Sequence, residues 1–190
     1  MLRRALLLAF AACSGPDTPE PLAPEPTTTA AAELVGTRAR DFKKLTWLGD
    51  PPRTLADLRG QVVLVRFWTD TCPYCRRTAP RLRALDEELR ARGLTVVGVY
   101  HPKPRGRPVP LADVTAFINE LSLAFPIALD ESWSTLDAWW LSTGDREATS
   151  ASFLIDRRGV IRLVHPGPEY SDAEYADLRA AILALLAEPA

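Results

Sequence analysis

Residues 62–75 read VVLVRFWTDTCPYC, and this stretch decides the fold. Its first half is a run of apolar and β-branched residues around a single arginine, which predicts a buried central strand. The segment that follows carries apolar residues at helical spacing: Ala79, Leu82, Leu85 and Leu89. Cys72 and Cys75 therefore lie at the junction between a buried strand and the start of a helix.

Two thiols in this position, here called the cysteine pair, can exchange disulfides with other molecules. Because unpaired backbone N–H groups and the positive end of the helix dipole stabilise a thiolate, we expect a lowered pKa for Cys72. Cys72 is therefore the predicted nucleophile. Cys75, whose pKa is expected to be raised by burial, is predicted to resolve the mixed disulfide. An inert structural disulfide and half of a metal site remain alternatives for such a pair.

The remaining pattern alternates strands and helices. It predicts a second buried strand at 94–99, a helix at 113–121, a hairpin at 153–164 and a final helix at 171–186. This order predicts an α/β domain with a mixed central β-sheet flanked by helices.

Composition and charge narrow the possible functions. The chain has 190 residues and a formal net charge of −1, so it fits one domain, and no basic field indicates a nucleic-acid partner. With 2 His and 3 Cys it lacks the ligands for a His/Cys zinc cluster. We therefore expect no metal and no cofactor other than a redox-active disulfide between Cys72 and Cys75. His101 is expected in a solvated loop and His165 at the surface.

The amino end has the build of an export signal. Residues 1–12 carry two arginines followed by a short apolar run, which is typical of a signal peptide. The segment FAAC, ending at Cys13, resembles the lipobox of bacterial lipoproteins, which implies a lipidated Cys13 and a membrane anchor. Residues 13–32 are rich in Pro and Thr and predict an extended tether. The folded domain is expected at 33–190, in a periplasmic or other extracytoplasmic location, or secreted if Cys13 is not lipidated.

The segment VVLVRFWTDTCPYCRRTAP resembles the active-site stretch of the TlpA/ResA-like thioredoxin family, and it is also similar to the thioredoxin-like domain of DipZ-type proteins. The resemblance continues through GLTVVGV at 93–99, FPIALD at 125–130 and SFLIDRRG at 152–159. It implies a thioredoxin fold and a reductase-type exchange with protein thiols and disulfides, together with an upstream electron donor or acceptor. It also implies four residues that flank the cysteine pair: Trp68, Pro73, Tyr74 and Ser150.

Three residues depart from the family pattern. Arg66 stands where relatives carry a buried carboxylate or Asn, and Thr78 stands where ResA-like proteins carry Glu. Neither usual proton acceptor for the second cysteine is therefore present, and Asp70 is expected at the exposed rim. Ser150 occupies the position of a cis-proline. Because a cis bond before a non-proline residue costs ~3 kcal/mol, we expect a trans peptide bond between Thr149 and Ser150.

Three other functions share some of these features. Thr69, three residues before Cys72, has the spacing of a peroxiredoxin peroxidase, although Val65 stands where that family has proline. The Cys-Pro-Tyr-Cys sequence also occurs in glutaredoxins, which are smaller cytosolic proteins. A non-catalytic module that binds copper or another metal is a third alternative, although Met1 is the only methionine available as a thioether ligand.

Overall fold

The structure is a computed structural model and describes residues 29–144, 146 and 148–189. The predicted signal peptide at 1–12, Cys13 and the tether as far as residue 28 lie outside the described residues. The last four residues of the predicted tether form a short helix, α1 (Thr29–Ala32), in which Ala31 is buried against the domain. In the described part of the chain, no helix is long and apolar enough to cross a membrane.

A mixed six-stranded sheet forms the centre of the fold. Its strands are β1 (Thr46–Leu48), β2 (Val62–Trp68), β3 (Leu94–Tyr100), β4 (Ile127–Leu129), β5 (Ser152–Ile155) and β6 (Ile161–His165). Their spatial order is β1-β4-β3-β2-β5-β6, with β2, β3 and β4 parallel and the other neighbours antiparallel. The predicted mixed sheet is confirmed. The periodicity did not predict β1 and β4, because three residues are too few to show a period.

Helices cover both faces of the sheet. The longer ones are α2 (Pro73–Leu89), α3 (Leu111–Glu120), α4 (Ser134–Trp139) and α5 (Asp172–Ala187). Successive side chains of a strand point to opposite faces, so the fully buried β2 contributes to two cores. Leu64 and Trp68 pack with residues of α2, α3 and α5, whereas Val65 and Phe67 pack with residues of α4. The face that carries Leu64 and Trp68 is therefore the face that meets α2.

The junction between β2 and α2 places the cysteine pair at one edge of the sheet. Cys72 is the N-cap of α2, and Pro73 is its first helical residue, where a missing N–H breaks no helical hydrogen bond. Cys75 belongs to the buried stripe of the helix, which also contains the predicted residues Ala79, Leu82, Leu85 and Leu89. Cys72 therefore lies at the N-terminal end of α2, whereas Cys75 lies on the buried face of α2, against the core.

Candidate active site

The two sulfurs of the cysteine pair differ in their exposure. Both thiols are free; Cys72 is half-buried, whereas Cys75 is only 3% exposed. The Cys72 sulfur accepts a hydrogen bond from the backbone N–H of Cys75 at 3.2 Å. Pro73 and Tyr74, between the two cysteines, are exposed. A substrate sulfur can therefore approach Cys72, while Cys75 is reached only through Cys72.

Ser150 contacts the buried member of the pair. Its hydroxyl oxygen lies 3.2 Å from the Cys75 sulfur, and either atom can donate the hydrogen bond. Among the described residues the cis peptide bond is the one between Lys103 and Pro104, so the Thr149–Ser150 bond is trans, as predicted. Ser150 occupies the position of the family's cis-proline. The loop before β5 therefore presents a serine hydroxyl to Cys75, and not a proline ring.

Trp68 closes the inner side of the site. It ends β2, is 5% exposed, and stacks on Phe117 with ring centroids 4.6 Å apart. Its ring also meets Tyr100 edge-on at 5.1 Å. Trp68 and Cys75 line one small apolar cavity between β2 and α2. Trp68 therefore lies beside the buried member of the cysteine pair.

Asp70 does not lie at an exposed rim, contrary to the expectation from the sequence. Its carboxylate accepts a hydrogen bond from the Tyr100 hydroxyl at 3.0 Å and forms an ion pair with Arg107 at 3.2 Å, and its side chain is 9% exposed. Both partners come from β3 and the loop after it, which are distant in sequence and pull the carboxylate inward. Asp70 therefore ties the 101–110 loop to the turn that carries the pair.

Arg66 is the charged group that sequence reasoning noticed only as a departure. Its side chain is 1% exposed, in the middle of β2. The guanidinium donates hydrogen bonds to Ser152 Oγ at 2.9 Å, to the Gly167 carbonyl at 3.1 Å and to the Pro168 carbonyl. It lines the same cavity as Cys75. An arginine inside an apolar strand was the only sequence signal for this arrangement.

The two thiols of the cysteine pair have their pKa values shifted in opposite directions. The hydrogen bond from the Cys72 thiol lowers the pKa of Cys75 to about 5, and Arg66 and the Ser150 hydroxyl act in the same direction against burial. The same hydrogen bond, together with burial, raises the pKa of the Cys72 thiol above its ordinary value. The backbone N–H groups of Cys75 and Tyr74 lower the Cys72 pKa, as expected at a helix start, but they do not reverse the rise. The expected order of the two pKa values was therefore wrong: the pKa of Cys75 is lowered and that of Cys72 is raised.

The two histidines are both buried, so their predicted solvated positions were wrong. His101 follows β3 and is fully buried; its Nε2 lies 2.9 Å from Thr149 Oγ1, and its ring meets Trp133 edge-on. His165 ends β6 and is 7% exposed, with Nε2 3.2 Å from Glu174. Neither lies in a cluster of metal ligands, since in the described ranges no three His, Cys, Asp or Glu side chains are grouped to hold a metal ion.

The fold and the site together define a thioredoxin-fold protein with a Cys-X-X-Cys pair at the start of its first long helix. Residues 35–164 match the AhpC/TSA family, and the chain belongs to this family.

Named relatives agree with the thiol chemistry of the site. The chain is 35% identical over 142 residues to protein DipZ of Mycobacterium tuberculosis, a match that covers 73% of this chain and 19% of DipZ. It is 29% identical over 167 residues to the thiol-disulfide oxidoreductase ResA of Geobacillus kaustophilus, covering 88% of this chain and 87% of ResA. These matches confirm the resemblance to ResA and DipZ proteins. The chain spans about a fifth of the length of DipZ.

A solved structure supports the fold. The crystal structure of a putative thiol:disulfide interchange protein DsbE from Chlorobium tepidum superposes with a TM-score of 0.66 at 28% identity. The superposition covers 80% of this chain and 97% of that one. The thioredoxin fold implied by the sequence resemblance is therefore confirmed.

Proposed function

We propose that this protein is a thiol–disulfide oxidoreductase that acts on protein thiols and disulfides, with Cys72 as the nucleophile and Cys75 as the resolving thiol. The observation that carries the proposal is the arrangement of two free thiols in one helical turn, one accessible and the other buried beneath it. Only the accessible sulfur can meet a substrate disulfide. The buried one can meet only the mixed disulfide that results.

The exchange conserves protons and electrons. Cys72 passes its thiol proton to the Cys75 thiolate and attacks a substrate disulfide, forming a mixed disulfide and releasing one substrate thiolate. That thiolate takes the proton back from Cys75. Cys75 then attacks the Cys72 sulfur, the internal disulfide forms, and the second substrate sulfur leaves as a thiolate. Two electrons pass from the protein to the substrate, and the reverse sequence oxidises a substrate dithiol.

Because the pKa of Cys75 is lowered and that of Cys72 is raised, Cys75 can serve as the base for the Cys72 proton. In the reduced pair the charge is on Cys75, so the neighbouring thiolate itself takes the proton of Cys72. The site therefore does not need the buried carboxylate that relatives of this sequence carry. An upstream donor or acceptor of electrons completes the cycle.

The test is reduction of insulin disulfides with dithiothreitol as the electron source. We expect activity in the wild type, loss of activity in Cys72→Ser, and a stable mixed disulfide with insulin in Cys75→Ser. Cys13→Ser, which leaves the pair intact, is the matched control and is expected to keep full activity. If Cys72→Ser stays active, the proposed role of the pair is wrong. Consumption of peroxide without reduction of insulin would instead support the peroxidase alternative.

We further propose an extracytoplasmic location with a membrane anchor at Cys13. The support is the signal-like composition of residues 1–12, the lipobox-like segment before Cys13 and the Pro/Thr-rich sequence after it. We expect the full chain to fractionate with membranes and to partition into detergent, whereas Cys13→Ser does neither. A wild-type chain in the soluble fraction would contradict the anchor and leave the thiol chemistry unaffected.

A further inference from the structure

Arg66 is a cation in the interior of the domain on the face of the sheet that meets α2. On β2, Leu64 and Trp68 pack in the core that contains Cys75, and Arg66 lies between them with the same side-chain direction. It is 1% exposed and lines the same cavity as Cys75. An arginine guanidinium is a permanent cation in proteins, so the interior of the domain holds a positive charge here.

The hydrogen-bond partners of Arg66 are neutral. They are Ser152 Oγ, the Gly167 carbonyl and the Pro168 carbonyl, and the Tyr170 ring lies 5.4 Å from Cζ. No carboxylate within the described ranges forms an ion pair with Arg66, although twelve arginine–carboxylate ion pairs there involve other arginines. A buried charge without a counter-ion is unfavourable. The anion that the cavity can supply is the thiolate of Cys75.

We infer that Arg66 is a positioning residue for the exchange reaction: it is the buried counter-ion of the Cys75 thiolate and draws the cysteine pair toward its reduced state. This inference rests on the proposed function, because it assigns a direction to the same pair. In the oxidised protein the thiolate is absent and Arg66 has no anion beside it. In the reduced protein the charge is matched.

The consequence is a stronger oxidant. When a substrate dithiol attacks the Cys72 sulfur of the internal disulfide, the electron pair of the broken S–S bond goes to Cys75, which leaves as a thiolate. Arg66 stabilises this leaving group. A disulfide whose reduced form is stabilised has a higher reduction potential, so the charge of Arg66 makes the pair accept electrons more readily than the same pair without it.

Within the described part of the chain, the other charged or titratable groups near Cys75 and Arg66 do not provide a second buried cation beside Cys75. Cys72, on the same helix, is the titratable group hydrogen-bonded to Cys75. Arg77, also on α2, acts on Cys72, but it is exposed and bound to Glu169 by two hydrogen bonds. On the other elements packed around Arg66, the titratable groups that feel its charge are Tyr170, His165 and His101. Arg66 is thus the buried cation whose field acts on Cys75 from the sheet.

The first experiment isolates Cys75 while Arg66 is intact. In Cys72→Ser that also carries Cys13→Ser, the thiolate absorbance near 240 nm reports Cys75 as the one remaining cysteine, without a shared proton. Burial by itself raises a thiol pKa above its ordinary value of about 8.5. We expect Cys75 to titrate below that value in Cys72→Ser, because Arg66, the Ser150 hydroxyl and the Thr69 backbone act together against burial. A titration above it would overturn the inference.

The second experiment removes the charge. In the Cys72→Ser background, Arg66→Met is expected to raise the pKa of Cys75 by about one unit, which is a tenfold change in the acid dissociation constant. In the Cys75→Ser background, the same substitution is expected to change the pKa of Cys72 by much less. In the complete pair, the equilibrium with glutathione is expected to shift about tenfold toward the disulfide, or about 30 mV. Ser152→Ala is the matched control, since it removes a hydrogen bond of Arg66 and keeps the charge.

The outcomes separate this inference from the proposed function. Equal effects of Arg66→Met and Ser152→Ala, or equal shifts of the two cysteines, would show a structural role for Arg66 and overturn the inference. If Arg66→Met does not fold, Arg66→Gln, which removes the charge and keeps hydrogen-bond donors, is measured in its place and is expected to raise the Cys75 pKa in the same direction. Insulin reduction, measured in parallel, reports the proposed function: an active wild type with an unshifted Cys75 contradicts only the role of Arg66, and an inactive wild type contradicts the exchange activity itself.

Discussion

The hydroxyl oxygen of Ser150 lies 3.2 Å from the sulfur of Cys75, although the two residues are 75 positions apart in the chain. The contact joins the loop before β5 to the first turn of α2. Cys75 is therefore held between this hydroxyl on one side and the cavity of Arg66 and Trp68 on the other. The reactivity of the pair depends on these contacts as much as on the helix start.

The exposure difference predicts selective alkylation. When the reduced protein is treated briefly with iodoacetamide at neutral pH, we expect one label within the pair, on Cys72. Cys75 is only 3% exposed, and proton transfer to Cys75 forms the reactive thiolate on the accessible Cys72. Peptide mass spectrometry locates the label. Cys72→Ser is the control, and its Cys75 is expected to react many times more slowly in the folded state and readily after unfolding. Equal labelling of both cysteines would contradict the assignment of roles.

The proton order predicts how the stability of the reduced protein depends on pH. The pKa of Cys75 is lowered to about 5 in the folded state, below the ordinary thiol value in the unfolded chain. The thiolate therefore contributes stability above the unfolded value, and this contribution is lost as pH falls toward 5. The raised pKa of Cys72 opposes it only at pH values above the unfolded value.

Denaturant unfolding of the reduced protein at pH 5 and pH 8 measures this dependence. Relative to Cys75→Ser, the wild type is expected to gain unfolding free energy between the two values. The same pH dependence in both proteins would show that Cys75 is not the charged member of the pair.

The Ser150 contact predicts a small and specific change in Ser150→Ala. A hydrogen bond to a charged group contributes about 1.5–3 kcal/mol, so loss of the hydroxyl is expected to raise the Cys75 pKa by about one unit. The thiolate absorbance of the reduced protein checks this shift. Ser142→Ala, which removes an exposed hydroxyl outside the site, is the control. An unchanged titration in Ser150→Ala would mean that the hydroxyl donates its hydrogen bond elsewhere.

The buried His101 predicts instability in acid. Burial, with Lys103 and Arg66 acting in the same direction, lowers the pKa of His101 to about 3. Between that value and the ordinary histidine value near 6.5, the unfolded chain binds a proton that the folded chain does not, so the unfolding free energy falls as the pH falls. We expect a shallower fall in His101→Phe, measured by urea unfolding between pH 4 and 7. A slope that is unchanged in the variant would assign the acid sensitivity to other groups.

Local sequence signals were sufficient for the strand, the helix and the position of the cysteine pair. The apolar run at 62–68 and the helical stripe after it depend on the spacing of neighbouring residues, and the structure contains both as predicted. The trans bond before Ser150 also followed from a local rule, because a cis bond needs proline. The short strands β1 and β4 escaped prediction, since they exist only by pairing with each other and with β3.

The burial of polar residues was decided by long-range packing. Asp70, His101 and His165 were all placed near solvent from their local sequence, and each is covered by partners from elsewhere in the chain. Asp70, for example, is held by Arg107, 37 residues away. No periodicity within a segment reports such a partner.

The sequence by itself determined the fold class, the chemistry of the cysteine pair and which sulfur lies at the helix start, because these depend on residues within one strand, one turn and one helix. The tertiary structure decided which sulfur carries the charge. That outcome depends first on the hydrogen bond from the Cys72 thiol, and also on a guanidinium and a hydroxyl that approach Cys75 from two other elements of the fold. The fields and hydrogen bonds that set a pKa act through space over a few ångströms, and the residues that supply them need not be neighbours in the sequence.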